Sequence, residues 1–135
     1  MSEANPWRVL VVDDDAETHK ITELVLRKVR FDGRPLQFEY AFSGEEALEK
    51  LRQFPDTALV LLDVVMETDD AGLRVARAIR EELNNHLVRI VLRTGQPGRA
   101  PVREVILNYD INDYRPKTEL TSASLYAMVI ASLRN

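Results

Sequence analysis

Two kinds of apolar segment alternate along the chain. The first is a short, continuous, largely β-branched run: Trp7–Val12, Ala58–Leu62 and Leu87–Leu92. Such runs predict strands covered on both faces, as in a parallel sheet. Leu36–Ala41 alternates apolar with polar and suits an edge strand, and Ile111–Arg115 is a weaker fifth strand for the opposite edge. The second kind has helical spacing. Ile21, Leu24, Val25 and Val29 form one stripe, Ala47, Leu48 and Leu51 a second, and Leu73, Ala76, Ile79 and Leu83 a third. Val102, Val105, Ile106 and Tyr109 form a fourth, and Leu125, Met128, Val129 and Leu133 a fifth. Ser43 and Glu46 fit a capping box at the second helix, and Pro101 suits the first turn of the fourth. The order is βα five times over, without internal repeats or low-complexity linkers. It predicts an α/β fold, a doubly wound, five-stranded parallel sheet with helices on both faces.

In such sheets the working site lies beyond the carboxyl ends of the strands, where the strand order reverses. The first strand runs into Asp13-Asp14-Asp15 and the third into Asp63. The fourth ends in Thr94-Gly95 and the fifth in Tyr114-Arg115-Pro116-Lys117. All of these share one edge. Two carboxylates about 4 Å apart repel by roughly 4 kcal/mol at an effective dielectric near 20. A cation with oxygen ligands offsets that cost, and hard oxygen donors favour Mg2+ or Mn2+ with water completing the shell. Asp63 can then act as a nucleophile that forms an acyl phosphate. Thr94 offers a hydroxyl, and Lys117 a point charge, to phosphoryl oxygens.

Composition narrows the classes. The 135 residues suit one domain, and 45% apolar with 30% charged residues is the balance of an ordinary globule. A net charge of −4 argues against direct nucleic-acid binding. With no cysteine there is no disulfide framework, thiolate metal site or Cys nucleophile. No apolar run approaches the roughly 20 residues of a membrane helix, and MSEANPWR lacks a signal-peptide layout. A cytoplasmic location is expected.

The motifs VLVVDDD, LVLLDVVM, IVLRTG and DYRPK, in this order, resemble the response-regulator receiver domain of two-component signalling. The resemblance covers essentially all of residues 1–135 as a single receiver domain, with the output domain absent from this chain. It implies the (βα)5 flavodoxin-like fold, with Asp63 as phosphoacceptor. It implies Mg2+ ligated directly by Asp14, Asp63 and the backbone carbonyl of Val65, and by Asp13 through water. It makes Thr94 and Tyr114 a switch pair and brings Lys117 onto the phosphoryl group. The partners implied are a histidine kinase or phosphotransfer protein and a downstream output domain. Pairing of two copies through the fourth helix, fifth strand and fifth helix is the family's common mode of assembly. VVMETDDAGL, VLRTGQPG and DINDYRPKTELT are similar to a receiver subtype at the head of cyclic-di-GMP signalling proteins, often phosphodiesterases. There are departures. Thr118 follows Lys117 where the family has Pro, Glu67 follows Met66, Gly72 falls one residue late, and Gly95 replaces the usual Ala.

Plainer readings stand beside these. Asp15 is a helix N-cap. His19 and His86 have no metal-type spacing and read as surface or helix-end residues. Trp7 covers the start of the sheet, and Arg74, Arg77 and Arg80 read as a solvated helix face. Two other functions compete with a non-enzymatic phosphoacceptor switch. One is a phosphorylation-independent pseudo-receiver. The other is an aspartate-nucleophile phosphohydrolase of the haloacid-dehalogenase type, disfavoured because Glu17 stands where Thr or Val belongs.

Overall fold

The computed structural model of the protein describes residues 5–66, 68, 70–95, 110–116 and 122–134. Its strands are β1 (Trp7–Val12), β2 (Arg30–Phe31), β3 (Arg34–Ala41), β4 (Leu59–Asp63), β5 (Arg89–Thr94) and β6 (Asp113–Pro116). Its helices are α1 (Ala16–Leu26), α2 (Gly44–Gln53), α3 (Ala71–Glu81) and α4 (Ser122–Arg134). The predicted helix around Val102–Tyr109 lies outside the described residues.

The sheet order is β2-β3-β1-β4-β5-β6. The five expected strands are all parallel. Period-two alternation sorts their side chains into two cores. Val9, Val11, Leu59, Leu61 and Val91 meet α1 and α4 on one face. Leu10, Val12, Val60, Leu62, Ile90 and Leu92 meet α2 and α3 on the other. Both faces are covered, which is why these strands carry continuous apolar runs rather than alternation.

Four expectations are corrected. β3 is not the edge of the sheet, because β2 pairs antiparallel outside it, Arg30 opposite Pro35 and Phe31 opposite Arg34. The turn between them is Asp32-Gly33 with φ of 55° and 73°, the left-handed pair that a two-residue hairpin demands. The α1 stripe faces elsewhere: Ile21 and Leu24 are 55% and 63% exposed, while His19, Thr22 and Leu26 are buried. His19 is therefore not a surface residue. Arg80 is not solvated either. Its guanidinium donates to the carbonyls of Asp110 (2.9 Å), Asn85 (3.0 Å) and Val88 (2.8 Å), fastening the loop before β5 to the turn before β6.

The loop after β4 is held close. Gly72 N–H donates to the Val64 carbonyl at 2.8 Å, so the start of α3 lies against the backbone that follows Asp63. The capping box forms as expected in its forward arm, with Ser43 Oγ accepting from Glu46 N–H at 3.2 Å. The reverse arm reaches one residue further, to Phe42 N–H.

Candidate functional site

The chain leaves β1 for β3 on one side and later returns to β4 on the other. The carboxyl ends of β1 and β4 therefore flank the switch point, and Asp13 and Asp63 stand on its two lips. Asp13, Asp14 and Asp63 each bring a carboxylate oxygen within 4.8 Å of the others. Asp13 and Asp63 are buried, whereas Asp14 is exposed at the mouth.

Local structure sets these positions. Asp13 N–H extends the β1–β3 ladder to the Ala41 carbonyl at 3.1 Å. Asp13 Oδ1 accepts from Asp15 N–H at 2.9 Å, and Asp15 Oδ1 caps α1 by accepting from Glu17 N–H at 3.0 Å. Asp15 is thus the N-cap, as its sequence context predicts. From α1, buried His19 donates its Nε2 proton to the Asp13 carbonyl at 2.8 Å, since a carbonyl oxygen only accepts. The His19 ring packs edge-on to Tyr40 and tilted against Phe42. This histidine, absent from the sequence-based site, holds the backbone of the acidic turn.

Thr94 ends β5 and is buried. Tyr114 lies in β6 opposite Leu92, with its ring in the core between the sheet and α2–α3. Period two then puts Thr94 and Tyr114 on the same face of the sheet. Val65 sits two residues beyond Asp63, partly exposed. Lys117 and the Lys117–Thr118 junction lie outside the described residues.

A second residue was missed by sequence reading. Arg93 precedes Thr94 and is 4% exposed. Its Nη1 donates to Thr22 Oγ1 of α1 at 3.2 Å. Burial pulls the guanidinium pKa down, and Asp13 and Asp63 pull it back up. The signal was a charge directly after the apolar run Ile90, Val91 and Leu92, at a strand position that is covered on both faces.

The donor set suits a hard divalent ion: among the described residues the group is three carboxylates, with no thiolate and no imidazole in it. A family model of the response regulator receiver domain matches residues 9–129. The chain belongs to the response-regulator receiver family. Receivers are the phosphoacceptor components of two-component signalling, and individual relatives agree with that assignment. The chain is 50% identical over 134 residues to 3'3'-cGAMP-specific phosphodiesterase 2 of Vibrio cholerae serotype O1 (strain ATCC 39315 / El Tor Inaba N16961). That match covers 99% of this chain and 26% of the relative, so the receiver spans about a quarter of that protein's length. Among solved structures it is similar to the N-terminal domain of a response regulator/sensory box/GGDEF three-domain protein from Carboxydothermus hydrogenoformans. The identity is 26%, the TM-score 0.75, and 94% of each chain is covered. It is also similar to the BeF3-activated DrrB receiver domain, at 25% identity and TM-score 0.73, covering 96% of this chain and 99% of that one.

Proposed function

We propose that Asp63 accepts a phosphoryl group from a histidine kinase or phosphotransfer protein. In this reading Asp14, Asp63 and the Val65 carbonyl hold Mg2+ or Mn2+ directly, and Asp13 holds it through water. The observation that carries it is the meeting of three carboxylates within 4.8 Å at the switch point of the sheet. When bound, the ion screens the charge shared by the carboxylates and the incoming phosphoryl group. An Asp63 carboxylate oxygen attacks phosphorus, a P–O bond forms, the bond to the donor nitrogen breaks, and the donor imidazole takes up a proton. Lys117 steadies the phosphoryl oxygens. The Thr94 hydroxyl moves toward the new dianion, and Tyr114, already buried on the same face, holds the inward position that the shift opens. The result is a biased surface around β6 and α4, through which two copies or an output domain engage.

Chemistry on this chain ends with slow hydrolysis of its own acyl phosphate, so it is a switch rather than an enzyme of turnover. We further infer a single input domain whose output acts on a cyclic dinucleotide. The 50% identity to a segment of a cGAMP phosphodiesterase supports that output. No helix among the described residues is long and apolar enough to cross a membrane, which fits the cytoplasmic placement proposed here.

The test is intact-mass spectrometry after incubation with acetyl phosphate and Mg2+. The wild-type chain gains one phosphoryl group and Asp63→Asn gains none. Labelling of Asp63→Asn to the wild-type level would show that the acceptor lies elsewhere.

A further inference from the structure

Arg93 has no part in the phosphoacceptor mechanism above, and its placement calls for one. β4 and β5 pair in register with Asp63 opposite Arg93. β1 and β4 pair with Val12 opposite Leu62, and the next position of that register sets Asp13 beside Asp63. Asp13, Asp63 and Arg93 thus form a lateral row across three adjacent strands, which lie about 4.8 Å apart. Period two puts the row on the face that carries Val11, Leu61 and Val91, under α1 and α4. The guanidinium is fixed there. Nη1 is held by Thr22, while Nε and Nη2 are buried and meet no hydrogen-bond partner among the described residues. A buried guanidinium with two idle donors is costly unless neighbouring negative charge compensates it. The compensating charges here are Asp13 and Asp63, whose attraction works against the desolvation of Arg93.

We propose that Arg93 is a resident counter-cation of the acidic rim, a positioning residue that holds Asp13 and Asp63 together without a metal and thereby weakens their hold on Mg2+. This rests on the reading of the rim as an ion-dependent phosphoacceptor site. The guanidinium is a permanent charge at working pH. It competes with a divalent ion for the same two carboxylates, from the buried side of the row rather than from the mouth where Asp14 is exposed. A rim so balanced tolerates the ion-free state and releases the ion readily. A rim without Arg93 depends on the ion.

Isothermal titration calorimetry with Mg2+ on the 135-residue chain, with far-ultraviolet circular dichroism on the same samples, tests this. Arg93→Met should bind Mg2+ about tenfold more tightly than wild type, because the repelling charge in the same lateral row is gone. Arg93→Lys keeps the charge and should stay within about threefold of wild type. A folded Arg93→Met with unchanged or weaker Mg2+ affinity overturns the proposal, and so does tightening to the same degree in Arg93→Lys. If Arg93→Met unfolds without the ion, restoration of its spectrum by millimolar Mg2+ supports the counter-cation role, and failure of Mg2+ to restore it counts against that role. A wild-type chain that takes up no Mg2+ fails at a different point. It removes the ion-dependent reading itself, and the role of Arg93 with it.

Discussion

Gly72 stands where no side chain fits. A Cβ there would lie 2.2 Å from the Asp63 carbonyl oxygen and 2.7 Å from the Val64 Cα. Both are backbone atoms, so nothing can swing aside. Gly72→Ala must lever α3 away from the loop that follows the acceptor, and we expect a loss of about 2–4 kcal/mol in urea unfolding. Gly95 is the contrasting case, with nothing within 4 Å of its would-be Cβ. Gly95→Ala should keep wild-type stability within about 0.5 kcal/mol. It should slow labelling by acetyl phosphate, because the added methyl narrows the approach to Asp63. Equal urea midpoints for the two variants would refute this contrast. Arg80 differs again. It is a cation in the wall of the molecule, spent on three carbonyls and an ion pair with Asp110 at 3.4 Å. Burial depresses its pKa, and the Asp110 carboxylate opposes that shift. Arg80→Met strands those carbonyls and should cost about 3 kcal/mol, whereas exposed Arg77→Met should cost under about 1. Matching losses in the two variants would mean that the carbonyl bonds of Arg80 carry no weight.

At the scale of elements, α1 is the instructive case. Its apolar residues point two ways. Leu26 is fully buried in the α1–α4 core, while Leu24 is 63% exposed. Leu26→Ala should therefore cost about 2–5 kcal/mol and Leu24→Ala under about 0.5 in chemical denaturation. Losses in the reverse order would restore the stripe read from the sequence. That stripe misled because the buried face of α1 is partly polar: His19 serves the Asp13 carbonyl and Thr22 serves Arg93. Periodicity counts apolar positions, and it misses a helix face whose task is to bond the site. The strands were legible for the opposite reason. With both faces covered, the middles of β1, β4 and β5 (residues 9–12, 59–62 and 90–92) are apolar throughout, and the polar residues Arg8, Asp63, Arg89, Arg93 and Thr94 fall towards the strand ends. The β5 boundary shifted by two residues because Asn85 Oδ1 takes the N–H groups of Leu87 and Val88, which keeps Leu87 outside the ladder. β2 is only two residues long, below what periodicity can resolve, yet the Asp32-Gly33 pair announces its hairpin. The carboxylates of the site were legible because strand ends are fixed by topology. Their support from His19 and Arg93 was not, since it depends on which way each side chain turns: His19, six residues after Asp13, back to the Asp13 carbonyl, and Arg93 into the core beneath α1.

At the scale of the whole molecule, the net charge of −4 is unevenly spread, with three carboxylates gathered at one rim. An ion that binds there and not to the unfolded chain must stabilise the fold by mass action. At a concentration one hundred times its dissociation constant it adds about 2.7 kcal/mol. For a domain of this size that raises the melting temperature by about 5–10 °C. We expect this rise for wild type with Mg2+. We expect it to be lost in Asp14→Asn, which removes the exposed carboxylate at the mouth, and kept in Asp15→Asn, where Asn caps α1 as Asp does. Differential scanning calorimetry would measure all three, with sodium chloride at matched ionic strength as the control. General screening of a −4 chain would give the same rise with either salt, and the same rise in Asp14→Asn. A site-bound ion gives neither. The comparison therefore separates an acidic surface from an acidic site, and an equal response in Asp14→Asn and Asp15→Asn would exclude the site.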